Sequence, residues 1–150
     1  MGLFRRILTD RRGCAYHNEM MLPVAIIGIL AAIAIPKFAE LVRKSNEGSS
    51  KGNLGAIRSA TAIAYGDLEG EYPEHPLFLT VSGRYLRELP PAKAPNYHRD
   101  SAAVRLALGR GDSDDAGGWL FVVDPEDPDY GMIFVNCTHT DTKGRQWLAY

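Results

Sequence analysis

RRGCAYHNEMMLPVAIIGILAAIAIPKF, residues 11–38, joins a basic lead-in and a single acid to a long aliphatic run. From Met20 to Pro36 it runs 17 residues without a charge, at the short end of what crosses a bilayer as a helix. A glutamate, Glu19, stands at the lip of that run, and a basic stretch ending in Gly13 precedes it. A carboxylate drawn toward the centre of a bilayer costs about 2.5–3.5 kcal/mol on insertion scales. Glu19 therefore needs either access to water or a cationic partner.

Residues 1–13 hold Arg5, Arg6, Arg11 and Arg12 against Asp10, a net +3, which leaves −4 for the rest of the chain. A basic segment before an apolar run keeps that end cytoplasmic and sends the remainder across, although Lys37, Arg43 and Lys44 follow the run. The net charge of −1 over 150 residues gives no electrostatic case for binding nucleic acid. The two cysteines, Cys14 and Cys137, are too few for a disulfide framework.

Beyond the apolar run, Phe38, Leu41 and Val42 keep one helix face. After the softer patch NEGSSKGN (46–53) the spacing resumes at Leu54, Ile57, Thr61, Ala64 and Leu68. The pattern predicts one helix from Glu19 to Leu68, roughly 75 Å if unbroken. Its first half is apolar all round and its second half amphipathic. Gly48, Gly52 and Gly55 weaken the middle. Pro36 predicts a kink and Pro23 a bent or late start. Gly66, Gly70 and Tyr72-Pro73 offer the stop.

Residues 70–117 read as irregular, with one helical turn inside 82–97 ending at Pro90-Pro91 and a short helix or turn at 101–109. Loop 109–118 contains Arg110-Gly111-Asp112, read as a chance tripeptide in an Asp/Gly loop. From Trp119 the period changes, and 119–124, 130–137 and 145–150 predict a three-stranded antiparallel meander. Such a sheet is stable when a helix covers one face. The fold class is α+β: a long N-terminal helix, half membrane and half amphipathic, packed on a small three-stranded antiparallel sheet.

No enzyme chemistry emerges and no cofactor is expected. His75, His98 and His139 are scattered over loops, and Cys137-x-His139 is a single pair without partners at zinc spacing. GSSKGN (48–53) does not match a phosphate-binding loop. Asn136-Cys137-Thr138 fits a glycosylation sequon but falls on a predicted strand.

RRG followed by Glu19 and then VAIIGILAAIAIPKFAELVRKSNEG resembles the N-terminus of type IV pilins and of the major pseudopilins of type II secretion systems, most closely over about residues 24–66. The resemblance implies a basic prepilin-type leader at 1–13, a membrane and polymerisation helix at 14–42, an amphipathic helix half at 43–70, a variable region at 71–118 and the sheet at 119–150. Gly13 matches the residue after which a prepilin peptidase cuts, so that Cys14 would be the methylated N-terminus. Counting back from Glu19 and Pro36 instead places the mature start at Ala15. Glu19 matches the glutamate that pairs with the N-terminal amine of a neighbouring subunit, and Gly28 and Pro36 bound the part of the helix that loosens in a filament. Where the family has apolar or hydroxyl residues before the glutamate, this chain has Cys14, Ala15, Tyr16, His17 and Asn18. Because some pseudopilins use calcium, the resemblance makes Asp112, Asp114, Asp124 and Asp127 calcium candidates.

The implied function is a structural subunit, pilin or pseudopilin, of a type IV pilus-like filament or a secretion pseudopilus. Its implied partners are identical or related subunits, a prepilin peptidase and an inner-membrane assembly platform. It would sit in a bacterial inner membrane as a single pass, with its C-terminal domain on the periplasmic side. The lack of a paired-cysteine loop leans toward pseudopilins. The alternatives are a single-pass membrane-anchored binding module that does not polymerise, and a secreted protein cut near Ala32-x-Ala34.

Overall fold

The computed structural model describes the backbone of residues 12–150 and side chains from Met20 onward. Helix α1 spans Arg12–Asp67 and contains both Pro23 and Pro36. It begins earlier than Pro23 suggests, because each proline removes one backbone donor while the aliphatic residues around it favour helix. It ends through a left-handed turn. Glu69 has φ 58° and Gly70 φ 97°, and the Gly70 N–H donates to the Tyr65 carbonyl at 3.0 Å.

The chain divides into two compact units, one ending at Leu41 and one comprising Val42–Tyr150. In the first, the described side chains are helical and almost all exposed. The second contains the remainder of α1 and a three-stranded sheet in the order β1 (Val104–Ala107), β2 (Trp119–Val122), β3 (Ile133–Val135). Strands β2 and β3 pair antiparallel, with Trp119 opposite Val135 and Phe121 opposite Ile133. Strands β1 and β2 pair parallel, with Val104 opposite Trp119 and Ala107 opposite Val122.

The sheet is therefore mixed, not the antiparallel meander expected, and two segments exchange roles. Segment 101–109 supplies a strand rather than a helix or turn, since Val104 and Ala107 find partners on β2. The chain then crosses back through a 3-10 turn at Arg110–Asp112 and returns at Gly117-Gly118, both at positive φ, so β2 runs in the same direction as β1. Segment 145–150 makes only one isolated bridge, Thr140 to Gln146, before a 3-10 turn at Trp147–Ala149. Its buried Trp147 plugs the core instead of extending the sheet. The turn expected within 82–97 lies earlier, as a 3-10 segment at Pro76–Gly83 whose first turn is capped by His75 Nδ1 accepting from Leu77 N at 3.0 Å.

All four residues of β2 are buried, so the sheet is covered on both faces. On one face Trp119 and Phe121, with Ile133 and Val135, meet the α1 stripe of Leu54, Ile57, Ala60 and Ala64, together with Leu79 and Trp147. On the other, Leu120, Val122, Phe134 and Ala107 form a smaller cluster under Leu148. The Trp119 indole N–H donates to the Pro90 carbonyl at 2.8 Å, tying the irregular 84–100 region to the sheet.

Gly118 is held in place by backbone demands. Its φ is 78°, and a Cβ there would lie 2.5 Å from the Ala103 carbonyl oxygen, which accepts the Trp119 N–H. Gly118→Ala should therefore destabilise the unit by about 1–3 kcal/mol. Urea unfolding in detergent, followed by tryptophan emission, measures this, and an alanine variant of wild-type stability would contradict it.

Candidate functional site

The first unit presents the feature most in need of a function. Met20, Leu22, Ile27, Leu30, Ile33 and Ile35 are each more than half exposed, and they point in all directions around α1. A contiguous apolar surface of this kind is not left facing water. The helix is long and apolar enough to cross a bilayer. Gly28 leaves a gap in this surface, since a Cβ there would meet nothing within 4 Å, and Pro36 lies further along the same helix. Gly13, Cys14, Ala15 and Glu19 fall on the helical backbone. Their side chains, and residues 1–11, lie outside the described residues.

In the second unit, the patch read as soft is where α1 grips the loops. Buried Glu47 accepts from the Thr142 N–H and hydroxyl (3.1 and 2.6 Å) and from Arg43 at 3.3 Å. Ser50 Oγ donates to the Lys93 carbonyl at 2.6 Å, and Asn53 donates to the Pro91 carbonyl at 2.9 Å. Arg58 donates twice to the Ile133 carbonyl, at 3.1 and 2.8 Å. Lys51 reaches Asp141 Oδ2 at 2.6 Å and the Tyr150 hydroxyl at 2.8 Å. Gly48, Gly52 and Gly55 lie on the open side of the helix, where a Cβ would meet nothing.

Asp141 is the hub of these contacts. Its side chain is fully buried and also accepts from the Tyr150 hydroxyl at 2.6 Å and the Lys143 and Arg145 amides at 2.8 and 3.0 Å. Burial alone would push its carboxyl up, but the Lys51, Tyr150 and amide donors outweigh it and hold the carboxyl well below the usual range. The Lys51 ammonium is pushed down by desolvation and up by Asp141 and Tyr150, and it ends above its ordinary value.

The aspartates of the turns are engaged locally. Asp112 Oδ2 accepts from the Leu108 and Gly109 amides at 3.0 and 3.3 Å. Asp114 accepts from Asn136 Nδ2 at 2.7 Å and pairs with Arg105 at 2.8 Å, and these contacts, the Asn136 bond first, lower its pKa. Asp124 accepts from the Glu126 amide at 3.0 Å and Asp127 from the Asp129 amide at 2.8 Å. The Arg-Gly-Asp tripeptide is exposed, with its charged side chains engaged by neighbours in the same way. Arg110 forks onto Asp129 (3.1 and 3.0 Å) and lies 4.2 Å over the Phe134 ring. Buried Asn136 accepts from Ser113 and donates to Asp114 and the Gly117 carbonyl, which leaves the sequon's amide occupied.

One cluster was illegible in the sequence. His98, Asp115, Cys137 and His139 come from three separate loops, and each offers an atom within 4.8 Å of the other three. Among the described residues no other three or more His, Cys, Asp or Glu side chains converge in this way. Cys137-x-His139 thus has partners after all. They stand 22 and 39 residues before Cys137, at no spacing a motif would flag. Burial pushes the Cys137 thiol up to about 11, with the Asp115 charge adding to it. Asp115 is also pushed up by burial, yet the Thr138 amide and His98 bring it net below its ordinary value.

Fold and surface together define an α+β protein with one bilayer-length apolar helix and a small mixed-sheet unit. Comparison with known proteins gives that class a context. The chain is 44% identical over 46 residues to a type IV narrow pilus major component of Thermus thermophilus, covering 31% of this chain and 40% of that protein. It is 52% identical over 42 residues to a type IV major pilin of Myxococcus xanthus, covering 28% and 19%. It is 33% identical over 75 residues to a fimbrial protein of Eikenella corrodens, covering 47% and 48%. The chain is thus similar to type IV pilins and fimbrial proteins, and each match spans less than half the relative's length. No family model and no solved structure matches the chain.

The sign of the Asp141 effect fixes a pH dependence. A carboxyl depressed in the fold contributes stability that is present above its unfolded value, about 3.9, and is lost as the pH falls below it. Chemical denaturation of the detergent-solubilised chain should show stability dropping between about pH 4 and pH 2. Asp141→Asn should flatten that drop and cost about 2–3 kcal/mol at neutral pH. An Asn variant with the wild-type acid profile would contradict the assignment.

Proposed function

We propose that this chain is a structural subunit that polymerises through its apolar N-terminal helix into a type IV pilus-like filament, with its mixed-sheet unit displayed outward. The observation that carries the reading is the all-round exposed apolar surface of α1 from Met20 to Leu41, on a chain similar to pilus and fimbrial proteins. A helix that only anchored a domain would need lipid alone. One that polymerises trades lipid contact for helix contact, and an acid at its edge then has a use. The proposal includes cleavage after Gly13, or one residue later to begin at Ala15, with methylation of the new amine. Glu19 would accept the charge of a neighbouring subunit's N-terminal amine. Gly28 and Pro36 would mark where the helix gives in the filament. The chain would reside in the inner membrane before assembly, with the mixed-sheet unit outside the cytoplasm.

The second reading, an anchored module that never polymerises, is favoured by one observation: Tyr16, His17 and Asn18 are polar-tipped where lipid-facing residues are expected. Intact mass measured from host membranes separates the two. A mature chain starting at Cys14 or Ala15 and carrying one added methyl supports the subunit reading. A chain retaining its leader supports the anchored module.

Replacing Glu19 is the sharper test. Glu19→Ala should leave the membrane level of the protein unchanged and lower its fraction in sheared filaments by about tenfold or more, given the cost of an unpaired charge in lipid. Unchanged incorporation would overturn the pairing role.

A further inference from the structure

We infer that His98, Asp115, Cys137 and His139 form a four-ligand site for a divalent zinc ion in the mixed-sheet unit. The donor set is what zinc takes, namely imidazole nitrogen, thiolate sulfur and carboxylate oxygen. The spacing fits as well. Zinc bonds of about 2.0–2.3 Å in a tetrahedron set ligand-to-ligand edges of about 3.3–3.8 Å. Two edges that share His139 Nδ1 already stand near that length, to Asp115 Oδ2 at 3.3 Å and to Cys137 Sγ at 3.6 Å, while His98 Nε2 lies 3.2 Å from the other carboxylate oxygen, Asp115 Oδ1. All four ligand atoms lie within 4.8 Å of one another, so the longest edges close by about 1 Å when the ion binds.

His139 Nδ1 faces both the Cys137 sulfur and an Asp115 oxygen, and a ring nitrogen carries at most one proton to share between them. A cation at the centre takes a lone pair from each of the four residues at once. Its double charge also balances one carboxylate and one thiolate.

The surroundings hold the ligands in place, as a metal's outer shell does. Asp115 sits at φ 57° and accepts the Thr138 amide on Oδ1 at 2.7 Å, so its carboxylate is already aimed. The Tyr97 ring stacks on His139 at 4.1 Å. Gly117 admits His98, because a Cβ at Gly117 would lie 2.9 Å from the His98 Cβ. Cys137 is fully buried and the two histidines are partly open, which leaves an entry path from solvent on their side.

Such a site would pin the 113–118 crossover and the segment after β3 to the turn carrying His98. In a chain without a disulfide among the described residues, this would be a stabilising clip. The inference stands independently of whether the chain polymerises.

The test uses the full chain in detergent, stripped of metal with a chelator and titrated with zinc or with cobalt as a spectroscopic probe. One equivalent should bind, cobalt should give a thiolate-to-metal charge-transfer absorption, and zinc should raise the melting temperature. Cys137→Ser should abolish the charge-transfer band, and His98→Gln and His139→Gln should each lower zinc affinity by about 100-fold or more. If Cys137→Ser fails to fold, the two histidine variants, at partly exposed positions, carry the decision. No stoichiometric uptake by the wild-type chain would overturn the site. So would cobalt binding without a thiolate band, or zinc binding unchanged in the histidine variants.

Discussion

The second unit depends on one stripe of side chains. Strands of three and four residues cannot hold a sheet by their own hydrogen bonds. They persist because Leu54, Ile57, Ala60 and Ala64 of α1 bury the Trp119, Phe121, Ile133 and Val135 face. The small alanines let the sheet approach the helix closely, and the large aromatics of β2 fill the space around them. The segments that complete the core, with Leu79, Leu89, Ala92 and Ala94, carry only a 3-10 turn and the single bridge of Ala92 to Ser101, and they rest on the same stripe.

Polar contacts then fix what the apolar stripe only attracts. Glu47, Ser50, Lys51 and Asn53 each reach a loop, and Arg58 reaches strand β3, all 38 or more residues away in sequence. Unlike apolar packing, these bonds specify register and leave few alternatives, because a buried donor or acceptor without its partner is costly. Asp141 concentrates the effect, since one carboxylate joins α1, the C-terminal tyrosine and its own turn.

Much of this was legible in the residues, and the parts that were not have identifiable causes. The long helix follows from its periodicity, and the Leu54, Ile57, Thr61, Ala64 face is buried as read. Strands β2 and β3 follow from Trp119–Val122 and Ile133–Val135, whose β-branched and aromatic residues speak for strand. Strand β1 was hidden because VRLA has no strong preference and becomes a strand only through its parallel partner. Segment 145–150 looked like a strand because aromatics serve equally as strand residues and as core plugs, and Trp147 is the latter. The patch 46–53 looked weak because glycine and serine lower helix propensity, while tertiary bonds from Glu47, Ser50 and Lys51 override that preference. The His98, Asp115, Cys137, His139 cluster could not be read at all. Its members meet only because the parallel crossover carries Asp115 past the end of β3.

In the proposed filament the exposed apolar surface of α1 meets other subunits and not lipid alone. Site-specific photo-crosslinking from a benzophenone side chain at Ile27 or Ile33, in the full chain in its own host, distinguishes the two. Adducts are expected at the mass of a second pilin-like subunit, mapping to that subunit's apolar helix. Lipid adducts alone, with the protein remaining a membrane-bound monomer, would contradict it.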